Sequence, residues 1–118
     1  MQEERFTKGD WVLFRKKIGG WQENYMDRLC KSYVELLNED GDPSEKFWKL
    51  YKQIGEDKRS PGVLIHLSRS DFLYHIIGLL NDGVICMEDL EDFSDTLKGT
   101  INAFMEREKM LFADGGRE

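Results

Sequence analysis

The sequence predicts an all-α fold: a single-domain bundle of about five helices with one short extended segment at 63–67. Three observations carry this expectation. Apolar residues recur at spacings of three and four through most of the chain. Only two prolines occur. Most of the glycines stand near the expected helix ends, where they act as stops. A length of 118 residues points to one helical domain over 1–118, with frayed tails at 1–5 and 113–118. Hydrophobic content of 40% and aromatic content of 12% fit a folded chain and not a disordered one.

Thr7 and Asp10 have the spacing of a capping box, and Phe6 with Trp11 that of a hydrophobic staple. The first helix is expected over 8–18, with Trp11, Val12, Phe14 and Ile18 backed by Leu13. Arg15, Lys16 and Lys17 would sit at its C-terminal end, where cations suit the helix dipole. Gly19-Gly20 then reads as a turn. A second helix over 21–37 carries two neighbouring stripes, Trp21-Tyr25-Leu29-Tyr33-Leu36 and Met26-Cys30-Val34-Leu37, which predict a wide buried face.

Asp42-Pro43-Ser44-Glu45 is a strong helix start, with an Asx cap, Pro at N1 and Glu at N3. The third helix carries Phe47, Trp48, Leu50, Tyr51 and Ile54, with lysines mainly on the other side. Ser60-Pro61-Gly62 is the clearest break. Val63 to Leu67 is apolar and too short for a helix. It reads as an extended segment that crosses the core or pairs with a second copy of itself.

Ser68 and Asp71 repeat the capping-box spacing before Phe72–Leu80, which is apolar nearly all round and therefore expected at the centre of the core. Asn81-Asp82-Gly83 should stop that helix, with Gly83 taking the left-handed conformation. The last helix is expected to start near Met87 and to carry Leu90, Phe93, Leu97, Ile101, Phe104, Met105, Leu111 and Phe112.

Net charge is −6 and unevenly placed: +1 over 1–38, zero over 39–70 and −7 over 71–118. That distribution argues against broad binding of nucleic acid or anionic membrane. No apolar run approaches the ~20 residues a membrane span needs, and Met1 is followed by charged residues instead of a leader. Cys30 and Cys86 stand far apart and read as buried free thiols of a cytoplasmic protein. His66 and His75, nine residues apart, fit structural roles better than a zinc pair. The Asp82-Gly83 corner superficially matches a calcium loop, but Gly78 and Leu80 occupy ligand positions and Asp89 replaces the bidentate Glu. No nucleophile, base and oxyanion site assembles, so no catalytic residue, metal or cofactor is expected.

The segments DWVLFRKK–GWQENYMDRLC, PSEKFWKLYKQIGEDKRSPGV and SRSDFLYHIIGLLNDGVICMEDLEDFSDTLK resemble a group of small uncharacterised cytoplasmic proteins of Gram-positive gut bacteria. The resemblance covers about 90 residues, within one domain's length. Members of that group sometimes carry the label "multidrug transporter", which the absence of an apolar span contradicts. The resemblance implies a bacterial cytoplasmic protein and brings no catalytic residues with it.

The expected function is a non-catalytic protein-interaction module. Its candidate surface is Glu88, Asp89, Glu91, Asp92 and Asp95 together with Met110, Leu111 and Phe112. The partner is another protein or a second copy, and one variant is an acidic inhibitor of a nucleic-acid-binding protein. The alternative is a small DNA-associated regulator using Arg15, Lys16 and Lys17.

Overall fold

The computed structural model describes residues 5–115, with side chains described through 111. Those residues form four α-helices and no strand: α1 Lys8–Asn38, α2 Pro43–Asp57, α3 Phe72–Asn81 and α4 Asp95–Gly115. Short 3-10 turns at Arg69–Asp71 and Met87–Leu90 connect the later ones. The all-α expectation holds, while four helices stand where five were expected. The expected tails lie outside the described residues except for Arg5 and the last helical residues, 113–115.

The missing boundary is Gly19-Gly20, which α1 crosses without a break. Neither glycine takes a positive φ. Phe14, Ile18 and Trp21 keep one buried stripe across the pair. Two interior glycines disfavour the helix by about 1 kcal/mol each. Burying each large apolar side chain contributes roughly 1.5–3 kcal/mol, so the stripe wins. A Cβ at Gly19 or Gly20 would meet nothing within 4 Å. Gly19→Ala should therefore raise unfolding stability by about 1 kcal/mol, readable by urea titration.

Thr7 caps α1 as expected: Asp10 N donates to Thr7 Oγ1 at 3.1 Å and Thr7 N donates to Asp10 Oδ2 at 2.8 Å. The first half of α1 packs on α3 through aromatic contacts. Phe72 meets Phe6 edge-on at 4.7 Å between ring centroids, Phe14 at 5.0 Å and Trp11 at 5.6 Å. Phe72, Ile76, Ile77 and Leu79 are buried, as the central position of this helix requires, whereas Tyr74 faces outward. Val12 is also exposed, against expectation, because it stands off the Phe14–Ile18 stripe.

The expected Ser68–Asp71 capping box does not form. Ser68 N instead donates to His75 Nε2 at 3.2 Å, and a 3-10 turn fills 69–71. His75 stacks on Phe14, its ring centroid 6.2 Å away. Burial pushes its imidazole below the ordinary value, against the opposing pull of Asp71. The unfolded chain therefore binds the proton more readily. Stability that His75 confers above about pH 6.5 is lost as pH falls through the folded-state value. A melting temperature that drops between about pH 7 and about pH 5, and drops less in His75→Gln, checks this.

Gly83 ends α3 with φ +72°, the left-handed conformation expected of it. The side chain of Arg28 on α1 secures the corner, donating to the carbonyls of Gly83 at 3.0 Å and Val84 at 3.1 Å. Beside it, Gln22 Nε2 donates to the Pro61 carbonyl at 3.0 Å. Gly62 lies beneath this contact, where a Cβ would come within 2.4 Å of Tyr25 Cδ2 and 2.6 Å of Val84 Cγ2. Gly62→Ala should thus cost about 1–3 kcal/mol, the opposite sign from Gly19→Ala in the same titration. Val63 N and Leu64 N donate to the Ser60 carbonyl, so the expected extended segment begins as a turn. Residues 64–68 follow without regular structure.

The helix expected from Met87 is also divided. Asp89 Oδ2 accepts from Cys86 N at 2.8 Å and fixes a 3-10 turn, and α4 begins only at Asp95. Ser94 caps α4, its Oγ accepting from Leu97 N at 3.1 Å. The same residue is tied to α1. Asp10, 3% exposed, accepts from Ser94 N at 2.8 Å and from Ser94 Oγ at 2.6 Å. One carboxylate therefore closes the N-termini of two helices that are 84 residues apart in sequence.

Candidate functional site

The expected acids stay in one stretch over 88–95, whereas Met110 and Leu111 are not brought to them. Glu88 and Asp89 lie on the 3-10 turn, Glu91 and Asp92 in the following bend, and Asp95 opens α4. Met110 and Leu111 are exposed far along α4, about 22 Å from Asp95 at 1.5 Å rise per residue. The side chain of Phe112 lies outside the described residues. Several of the acids are engaged locally. Asp92 pairs with Lys17 at 3.4 Å, Asp95 with Lys98 at 3.5 Å, and Asp89 caps Cys86.

The same wiring changes the basic patch. Arg15 and Lys16 are exposed and Lys17 is half-buried against Asp92. Because α1 continues through Gly19-Gly20, the patch stands inside a helix and not at a helix C-terminus. Asp92 lies against Lys17 and offsets its charge.

Both cysteines are exposed, contrary to the expected burial. The carboxylates of Glu88 and Asp89 accept from the Cys86 thiol and hold it above its ordinary pKa, which weakens it as a nucleophile. His66 is exposed, and neither histidine lines any of the three grooves described below. Among the described residues, no three His, Cys, Asp or Glu side chains converge as a metal site would require. No helix there is long and apolar enough to cross a membrane.

The most unusual surface is on α2. The helix has the apolar pattern expected of it, but none of its residues is buried. Phe47 and Trp48 are each 62% exposed, Tyr51 69% and Ile54 44%. Trp48 holds the patch together, meeting Phe47 edge-on at 5.1 Å and Tyr51 at 5.7 Å between centroids. On the facing half of α1, Val34 and Leu37 are also exposed, which leaves the expected wide buried face narrow beyond Trp21. The sequence shows which residues share a face of α2. It does not show whether the chain has enough remaining apolar surface to cover that face.

Polar ties and one groove fix α2 on α1. The Tyr33 hydroxyl donates to Asp57 Oδ2 at 2.5 Å, and Gln53 Nε2 donates to Asp57 Oδ1 at 3.0 Å. Burial and the Asp57 carboxylate raise the Tyr33 pKa strongly, so the phenol stays protonated as the donor. At the other end Lys46 Nζ donates to the Leu37 carbonyl at 3.2 Å. Between these ties, Met26, Leu29 and Cys30 of α1 and Ile54 of α2 line an apolar groove of about 200 Å³. A wider opening follows at Lys58, Arg59, Val63 and Leu64. A third, small hollow lies between α3 and α4 beside Tyr74 and Phe104. The chemistry on offer is apolar contact with a charged rim.

No protein-family model, curated protein or solved structure matches the chain.

Proposed function

We propose that this chain is a non-catalytic protein-interaction module whose main docking surface is the aromatic face of α2. The observation that carries this reading is the exposure of Phe47, Trp48 and Tyr51 on a helix none of whose residues is fully buried. An exposed apolar patch of this extent is often functional, and aromatic side chains are enriched among interface hot spots. The hydrogen bonds that tie α2 to α1 through Tyr33–Asp57 and Lys46–Leu37 support the same reading.

A photo-crosslinking residue at position 48, compared with one at exposed Asn102 on α4, tests the proposal in cells. A discrete protein adduct from position 48 and none from 102 is expected. Equal, diffuse labelling from both positions would contradict it.

A second reading retains the acidic turn and, apart from it on α4, Met110 with Leu111 as docking surfaces, supported by the exposure of both apolar residues. Its acidic-inhibitor variant requires salt-sensitive binding of a basic protein. The DNA-regulator reading has less support, since Lys17 is already paired with Asp92. A retarded band in a low-salt gel shift would restore it.

A further inference from the structure

We propose that the partner of α2 is a second copy of this chain, docked antiparallel about a two-fold axis beside Tyr51. The two α1–α2 hairpins would then close into a four-helix bundle. This inference rests on the interaction-module reading and names its partner.

The register follows from residue size. Phe47, Tyr51 and Gly55 lie on one ridge of α2, each four residues from the next. An antiparallel copy centred on Tyr51 sets Phe47 of one chain over Gly55 of the other. Trp48 then lies opposite Ile54. Gly55 disfavours its own helix by about 1 kcal/mol. Nothing among the described residues requires it, because a Cβ there would meet none of their atoms within 4 Å. A phenylalanine ring from a second copy would use that space.

Charge selects the antiparallel sense. Asp40, Asp42 and Glu45 stand at the N-terminal end of α2 beside Lys46, and Lys58 with Arg59 at the C-terminal end after Glu56 and Asp57, the last of which accepts from Tyr33 and Gln53. Neither those first three acids nor Lys58 and Arg59 take part in the ion pairs found among the described residues. An antiparallel pair sets Asp42 and Glu45 of each chain towards Lys58 and Arg59 of the other, twice, as two-fold symmetry demands, whereas a parallel pair would set Lys58 and Arg59 against their own copies.

The available area is close to what a stable dimer needs. Full aromatic side chains present about 150–250 Å² each, so Phe47, Trp48 and Tyr51 expose about 400 Å² at their fractional exposures. Ile54, Val34 and Leu37 bring the apolar total to about 600 Å². Val34 adds to the same face, since helical phase puts it on the same side of the hairpin as Phe47. A standard interface takes about 800 Å² from each partner, and the lysine stems and Gln53 at the rim can supply the remainder.

Sedimentation equilibrium of the full chain from about 1 µM to about 500 µM tests the inference. The expected result is a reversible monomer–dimer equilibrium. Tyr51→Arg would set two cations against each other on the axis, and Gly55→Arg would fill the Phe47 seat. Each should weaken dimerisation by at least about 100-fold while leaving far-ultraviolet circular dichroism unchanged. In a Cys30→Ser, Cys86→Ser background, Tyr51→Cys should form a disulfide-linked dimer readily, and Lys52→Cys slowly. A wild-type chain that stays monomeric throughout the range overturns the inference, as does a dimer that survives both arginine variants. A position-48 adduct to a different protein would overturn it too, yet leave the module reading standing. Absence of any adduct would sink the module reading itself.

Discussion

Replacing Phe72 with alanine should cost about 4 kcal/mol of stability, the range for truncating a buried phenylalanine to alanine. Its ring is fully buried and touches Phe6, Trp11 and Phe14, so three neighbours lose contacts at once. Those neighbours stand on α1 and on the segment just before it. The cavity would therefore open between elements and could collapse only if α1 moved against α3. Chemical denaturation of Phe72→Ala should show an earlier midpoint with an unchanged slope. Tyr74→Ala, three-tenths buried on the same helix, should cost well under half as much. Equal costs at the two positions would mean that α3 does not use the face described.

Asp10→Ala should be the next most damaging change, at about 3 kcal/mol. Three donors would lose their acceptor: Thr7 N, Ser94 N and Ser94 Oγ. Hydrogen bonds to a charged group are worth about 1.5–3 kcal/mol, and an orphaned buried donor adds its desolvation cost. Ser94→Ala removes two of the same contacts and the cap of α4. The double variant should therefore fall short of the sum of the singles, the mark of residues acting as one unit. Acid carries the same signature. Burial alone would raise the Asp10 pKa, but the hydrogen bonds from Ser94 and Thr7 outweigh it and hold the carboxyl below its ordinary value. The unfolded chain thus takes up the proton first. The contribution is complete above about pH 4 and disappears as pH falls through the folded-state pKa. Asp10→Ala should consequently flatten the acid limb of the stability profile.

Several local signals in this sequence hold where one element settles them, although the Asx cap expected at Asp42 makes no side-chain hydrogen bond. The Thr7–Asp10 box, Pro43 at the start of α2 and left-handed Gly83 all concern a few adjacent residues, and all appear as expected. The expectations fail where a distant partner decides. Gly19-Gly20 looks like a stop by propensity, but three side chains of one buried stripe hold the helix through it. Ser68 resembles a cap, and His75 claims its backbone N–H. Ser94 shows nothing beyond an ordinary Ser-Asp-Thr helix start, and no local pattern reveals that Asp10 would bind it from α1. The greatest gap concerns α2. Periodicity locates its apolar face at 47, 48, 51 and 54, and periodicity is equally satisfied by a core or by a partner. α3, α4 and the first half of α1 fill one core, and no residue of α2 is among the buried core residues or the partly buried hydrophobics packed against them.

Hydrogen exchange resolved by residue over a dilution series tests this account most directly. The amides of α3 should exchange slowly at every concentration, because their opening requires the core to open. Those of α2 should exchange far faster in dilute solution and slow down as concentration rises and Phe47, Trp48 and Tyr51 become covered. If α2 is as protected as α3 at the lowest concentration, the helix belongs to its own core and the docking face does not exist.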